Sequence, residues 1–187
     1  MKIWCETFDD KNYTDAKMSD LTKLRGVKLL RGAIGSKAFP SDVYVEIRSS
    51  TRPTDFFRAG IFWIISAKLR SLLDSHNVES EYFPVGLRNK RGQELEGNWF
   101  CFNPTLILDW FDWSDSRFKM EQNFATEIKK LKSKPDGIGR HPLAVAARTI
   151  PVLIALSDEL ARDIIECGCT GVVFRDIKDW KDPVDPV

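Results

Sequence analysis

Two stretches of this chain spell the same order of elements, and that pairing constrains the fold more than any other feature. Phe62-Trp63-Ile64-Ile65 is a short, fully apolar run of the sort a strand buried on both faces shows, and Ser66 follows it at once. Ser66 is suited to N-cap a helix, its hydroxyl accepting from an otherwise unpaired amide of the first turn. Leu69, Leu72 and Leu73 then recur at helical spacing and predict one apolar face. The helix is expected to stop near His76-Asn77, with Val78 to Val85 returning as a strand that Pro84 and Gly86 end. The second stretch keeps this order. Leu153-Ile154-Ala155-Leu156 is the apolar run, Ser157 the cap, and Asp158 and Glu159 place negative charge where the helix dipole favours it. Leu160, Ile164 and Ile165 are expected to form the inner face, Gly168 the stop, and Gly171 to Phe174 the returning strand. Ser66, Leu69 and Phe83 align with Ser157, Leu160 and Phe174 at one constant offset. Three identities do not separate a true duplication from the packing rules that any capped strand-helix-strand unit obeys.

The remaining segments read as β-rich. Lys2 to Phe8 alternates with a two-residue period and predicts a strand. Met18, Leu21 and Leu24 form a weak helical stripe within the charged stretch 9–25, which reads equally as loop. Gly26 and Gly32 punctuate Val27 to Leu30, and Phe39 to Asp42 is a turn before a strand over Val43 to Ile47. Asn89 to Gly92 is a hairpin turn. Asn98 to Leu108 is aromatic and β-prone, with a break at Asn103-Pro104. Lys129, Lys130, Lys132 and Lys134 read as a solvated basic face leading to a turn at Pro135-Asp136-Gly137, and 180–187 as an extended tail. The expected class is α+β, a mixed β-sheet with a few packed helices that include the two similar strand-helix-strand units; α/β is the alternative. One domain over 1–187 is expected, with room for an N-terminal strand-rich subregion over 1–50.

Charge excludes some partners. Lys and Arg number 28 against 27 Asp and Glu, a formal net charge of +1, so no global field steers the chain toward nucleic acid or an anionic membrane. The N-terminus lacks the apolar core of a signal peptide, and Leu143 to Leu156 is interrupted by Arg148 and Pro151, short of the roughly 20 residues a membrane helix needs. A cytoplasmic location is expected. Cys5, Cys101, Cys167 and Cys169 have no framework spacing and read as reduced, structural thiols, with no metal or cofactor expected.

Catalytic motifs are sparse. Ser66 and Ser157 sit where α/β enzymes place a nucleophile, yet neither lies in Gly-x-Ser-x-Gly, and capping accounts for both. Gly137-Ile138-Gly139 lacks the third glycine and the Gly-Lys-Ser/Thr of a phosphate loop. His141 has no obvious partner in sequence. A non-enzymatic protein is expected. The alternatives are a small hydrolase or transferase using His141 with Asp or Ser, and a scaffold or assembly subunit.

The densest feature is Leu108-Asp109-Trp110-Phe111-Asp112-Trp113-Ser114-Asp115-Ser116, with no Lys or Arg until Arg117. If helical, Asp109, Asp112 and Asp115 share one face, and Trp110 and Trp113 the next. Two readings stand side by side. Exposed, the aromatics and carboxylates suit a protein-binding hot spot made of Asp109, Trp110, Asp112, Trp113 and Asp115. Buried, the aromatics are core with the acids solvated around them.

Five pieces in order resemble a known family: Pro53-Thr54-Asp55-Phe56-Phe57; Ile64-Ile65-Ser66-x-x-Leu69-x-x-Leu72-Leu73; Glu81 to Val85; Leu108-Asp109-x-x-Asp112-x-x-x-Ser116; and Leu156-Ser157-x-x-Leu160 with Thr170 to Phe174. Together they resemble bacterial immunity proteins of contact-dependent or secreted polymorphic toxin systems, long known only as a domain of unknown function. The likeness covers residues 53–176, the immunity-protein-like core, and leaves out the first 50. It implies a cytoplasmic protein that neutralises a cognate toxin by binding it, in a cell that makes the toxin or faces kin that do. It carries over no catalytic residues.

Overall fold

The computed structural model of the chain describes residues 1–6, 13–27, 29, 31–35, 39–49, 52–121, 124–147 and 153–177. Along them run β1 (Lys2–Glu6), β2 (Ala16–Met18), β3 (Tyr44–Ile47), β4 (Phe56–Ala59), β5 (Phe62–Ser66), α1 (Ala67–Ser75), β6 (Ser80–Asn89), β7 (Glu94–Pro104) and β8 (Ile107–Leu108). Next come β9 (Arg117–Glu121), β10 (Phe124–Lys130), β11 (Leu143–Ala146), β12 (Ile154–Leu156), α2 (Asp158–Glu166) and β13 (Val172–Asp176).

In place of one mixed sheet there are two, with a separate ribbon. A six-stranded sheet has the order β2-β3-β6-β7-β5-β4, a five-stranded sheet the order β13-β1-β12-β11-β8, and β9 and β10 pair alone. Both larger sheets are mixed, because β3 pairs parallel to β6 and β8 parallel to β11 while the other ladders are antiparallel. With two short helices added, the class is α+β. The physical reason for two sheets lies in the both-face apolar strands: such a strand needs a packed layer on each side, and one sheet with two helices cannot supply both.

Alternation along single strands shows how the layers are built. Trp4, Phe56, Trp63, Ile65, Phe102, Val145, Ile154 and Leu156 point into a central cluster between the sheets. Their chain neighbours Phe57, Ile64 and Cys101 point to the far side of the six-stranded sheet. Ile3, Ala144, Ala146 and Ala155 point to the far side of the five-stranded one. Leu69 and Leu73 of α1 and Leu160 and Ile164 of α2 are fully buried in the central cluster. Each such side chain stabilises the fold by about 1.5–3 kcal/mol relative to exposure.

The two strand-helix-strand units thread their sheets in a definite way. β5 and β6 are each antiparallel to β7, which lies between them, so they run parallel to one another. β12 and β13 are likewise each antiparallel to β1, which lies between them. Both helices are capped as the sequence suggests: Ser66 Oγ accepts from Leu69 N at 3.2 Å and Ser157 Oγ from Leu160 N at 3.1 Å. Ile165 departs from expectation. It is 62% exposed, because Ala161 with Leu160 and Ile164 fills the inner face and leaves Ile165 on the opposite side. Pro84 and Gly86 do not end their strand either. At Pro84, β6 is paired only to β7, since β3 joins it only from Gly86 onward, so the missing amide of proline leaves no ladder bond unmade on that side.

The six-stranded sheet curls until its edge strands β2 and β4 touch. Thr54 N donates to Thr14 Oγ1 at 3.0 Å and the two threonine hydroxyls lie 2.9 Å apart, stitching the seam. The cluster of Met18, Val45, Ile47, Phe57, Ile64, Phe83 and Leu87 thereby becomes the interior of a nearly closed barrel. The stripe of Met18, Leu21 and Leu24 is not a helix: it falls on β2 and a turn over 21–26. Thr7, Phe8, 9–12, Lys28, Leu30 and the tail 180–187, on which parts of the expected elements fall, lie outside the described residues.

Gly171 joins the two sheets. Its φ is +81°, and a Cβ there would sit 2.0 Å from Phe56 O and 2.6 Å from Thr54 Oγ1, so only glycine permits this approach of the β13 entry to β4.

Candidate functional site

The expected contact segment is not helical. Phe111 forms an isolated bridge with Ser133, Asp112 N donates to Lys132 O at 2.9 Å, and Lys134 N donates to Trp110 O at 2.9 Å, so 110–112 runs extended beside 132–134. A turn at 113–115 follows. The side chains therefore do not sort into an acidic and an aromatic face. Trp110 is 1% and Phe111 2% exposed, packed with Ala125, Ile128 and Leu131 behind the five-stranded sheet. Trp113 is half-buried, edge-on to Phe111 and Phe118.

The carboxylates are compensated within the segment's own neighbourhood. Asp109 accepts from Trp113 Nε1 at 2.6 Å and lies 3.3 Å from Lys134 Nζ. Asp115 is ion-paired to Lys132. Asp112 Oδ1 accepts from Ser114 Oγ at 2.6 Å, Ser114 N at 3.1 Å and Asp115 N at 3.2 Å, and these bonds, the serine hydroxyl foremost, hold its carboxyl below the usual range. Two of the four lysines read in sequence as a separate solvated face, Lys132 and Lys134, are thus the acids' partners, while Lys129 lies 3.4 Å from Glu127. A β-bridge between residues more than twenty apart brought them together, and no local pattern signals that contact.

A second surface went unmarked in the sequence. At one end of the curled sheet opens a groove of about 1420 Å³. Its walls are residues 47–49 and 52–55, from the end of β3 toward β4, the first residues of α1, and the β6–β7 hairpin with its tip. Arg48, Arg52, Lys68, Lys90 and Arg91 line it against the carboxylates of Asp55 and Glu96. Arg48 is paired with Glu46 at 3.0 Å and Lys68 Nζ donates to Gly168 O at 2.8 Å. Arg52, Lys90 and Arg91 are exposed and have no ion pair among the described residues. The tip itself is rigid by construction: Asn89 Oδ1 accepts from Arg91 N at 2.9 Å and from Gln93 N at 3.0 Å.

Asp55 anchors the inner end of the groove. Its carboxylate accepts from Ser66 Oγ at 2.7 Å, Thr170 N at 2.9 Å and Thr170 Oγ1 at 3.0 Å. Burial pushes the carboxyl up, but these bonds and the Lys68 charge outweigh it and hold it below the usual value. Ser66 Oγ is therefore fully engaged, donating to Asp55 and capping α1. Ser157 caps α2 in the same manner, and the His141 ring lies 3.8 Å from Glu79. The four cysteines are free thiols. Burial pushes Cys5 and Cys101 up, and pushes Cys169 up to about 11 with help from the Asp55 charge. Thiols held that way are poor nucleophiles at neutral pH. Among the described residues no cluster of His, Cys, Asp and Glu has the grouping of a metal site, and no helix is long and apolar enough to cross a membrane.

No curated protein matches the sequence. The model of the Immunity protein family (Imm11) matches residues 19–179, beginning well upstream of residue 53 and taking in every element from β3 to β13. With that match spanning most of its length, the chain belongs to the Imm11 family of immunity proteins.

Proposed function

We propose that this protein neutralises a cognate toxin of a polymorphic toxin system by binding it directly, in the cytoplasm of a cell that makes the toxin or meets it from competing kin. Membership of an immunity protein family over residues 19–179 is the observation that carries the reading. The mode is binding and not catalysis. Both serines that follow buried strands are committed to helix caps, and three of the four thiols are held protonated.

One contact surface is the rim formed by Asp109, Asp112 and Asp115 with the half-buried ring of Trp113. Trp110 lies beneath this rim and supports it without reaching a partner. The two strand-helix-strand units serve as the scaffold, one plan used twice: in each, a parallel strand pair flanks an antiparallel strand and a Ser-capped helix faces the central core. Rigid scaffolds suit tight inhibition because little ordering entropy is lost when the partner docks.

Co-expression with the toxin encoded by the neighbouring gene tests the function. The toxin alone should arrest growth and the wild-type chain should restore it. A toxin arm that stays lethal in the presence of soluble wild-type protein overturns the reading. For the rim, Asp115→Lys should weaken the complex while the thermal midpoint stays put, and an unchanged affinity would remove the rim from the contact.

A further inference from the structure

We infer that the basic groove at the end of the curled sheet is a docking site for an acidic, extended segment of the partner protein, an inference that rests on the toxin-binding reading for the identity of that partner. Three observations lead there. Size comes first: about 1420 Å³ exceeds the 300–1,000 Å³ typical of small-molecule sites, so the groove suits a stretch of polypeptide better than a metabolite. Charge is the second. Arg52, Lys90 and Arg91 stand exposed with no ion pair among the described residues, in contrast to the acids of the 109–115 rim, all of which have local partners. Charge left unpaired on a free protein costs little in water and becomes useful when a complementary surface arrives.

Backbone geometry is the third. β5 leaves its sheet at Ser66, paired with Trp99 of β7, to begin α1, so among the described residues β7 has no strand partner on that side from Glu94 to Asn98. On the other side the ladder slips, Val85 pairing with Trp99 and Leu87 with Leu95, so Glu96, Gly97 and Asn98 together face the single Gly86 of β6 without a register partner. A bulge at a barrel rim leaves main-chain groups available to a ligand. Gly97 has a φ of +117°, and a Cβ there would sit 3.0 Å from the indole nitrogen of Trp99, which is buried and closes the floor beneath the bulge. Polypeptide, with donors and acceptors along its main chain, can use such a floor.

Nucleic acid fits less well. Asp55 and Glu96 interrupt the cationic lining and would repel a continuous phosphate chain, and a net charge of +1 supplies no long-range attraction for one. A peptide with spaced carboxylates can pair with the three free cations and pass the two acids.

Two measurements on the full chain test this. In the first, fluorescence anisotropy follows a labelled Glu-Ser repeat peptide at low salt. Binding to the wild type is expected, with affinity falling about tenfold or more in R52E/K90E/R91E and unchanged in K129E/K130E, a reversal elsewhere on the surface. Arg52→Ala with Arg91→Ala provides the same comparison if the triple variant fails to fold. No binding by the wild type, equal loss in the control reversal, or tighter binding of a single DNA strand of matched charge would each overturn the inference. In the second, the affinity of the toxin complex is compared between wild type and the same groove variants, and a drop of about tenfold is expected. A toxin complex indifferent to the groove variants overturns the groove while immunity stands. Groove-dependent peptide binding together with failed protection sinks the toxin reading while the acidic-segment site stands.

Discussion

The rim of 109–115 and the groove at the end of the barrel carry opposite charge and treat it in opposite ways. At the rim, three acids fall within seven residues, and each is satisfied at home: Asp109 by Trp113 and Lys134, Asp112 by its own turn, Asp115 by Lys132. Beneath them Trp110 and Phe111 are core. In the groove, the cations come from three separate segments of chain, and three of them have no ion pair among the described residues. A local cluster of like charge folds only if something nearby offsets its repulsion, and the fold supplied lysines from 132 and 134. The groove cations are exposed to water, which screens their mutual repulsion, so they need no local counter-charge to fold and stay available to a partner. The contrast shows that density of charge in sequence is a poor guide to availability of charge on the surface.

Experiments can strain this contrast at its strongest point first. Trp110→Ala should destabilise the protein by about 3–5 kcal/mol in urea unfolding, as for other fully buried aromatics. A loss under about 1 kcal/mol would return Trp110 to the surface and add it to the contact face of the rim. Gly171→Ala should cost about 3 kcal/mol, combining positive φ with a Cβ driven into Phe56 O, and calorimetry would read it as a lowered midpoint. A near-neutral outcome would mean that the loop carrying Thr170 can move away from Asp55, and that the inner end of the groove is soft.

Smaller still is Asp55→Asn, at about 1 kcal/mol near neutral pH, since the carboxylate is half open to solvent and its bonds are discounted accordingly. Its pH dependence is the sharper readout. The folded state holds this carboxyl below its ordinary value of 3.8, so the stabilisation is full above that value and is lost as pH falls through the lowered one. The gap between wild type and variant should close in that acid range. A gap that persists there would show that Asp55 acts through shape and not through charge.

Much of the scaffold was legible in the chain. Ser66 and Ser157 were readable as caps because a hydroxyl between an apolar run and a helical stripe has one favourable use. The buried strands Phe62 to Ile65 and Leu153 to Leu156 were readable because continuous apolarity excludes an exposed face. Ile165 misled for a related reason: a hydrophobe beside Ile164 fits a helical stripe by residue type, but Ala161 occupies the inward position and is too small to advertise it. Pro84 misled because its meaning depends on whether β3 pairs there, which is a fact about neighbours.

The binding surfaces were the least legible. The acids and aromatics of 108–116 were conspicuous, but their burial and pairing hang on the bridge from Phe111 to Ser133. Nothing in Arg48, Arg52, Lys68, Lys90 or Arg91 marks them as members of one groove. They converge only because β3, β5, β6 and β7 end at the same rim.

By itself, then, the amino-acid order determined the doubly buried strands β5 and β12 and where each helix starts, because those outcomes follow from continuous apolarity and from hydrogen bonds spanning three or four residues. Tertiary structure alone decided that there are two sheets, that acids and lysines cancel at one surface, and that cations come to outnumber carboxylates in a groove at another. Those outcomes depend on contacts between residues tens of positions apart, and an electrostatic energy set by distance in space leaves no trace in distance along the chain.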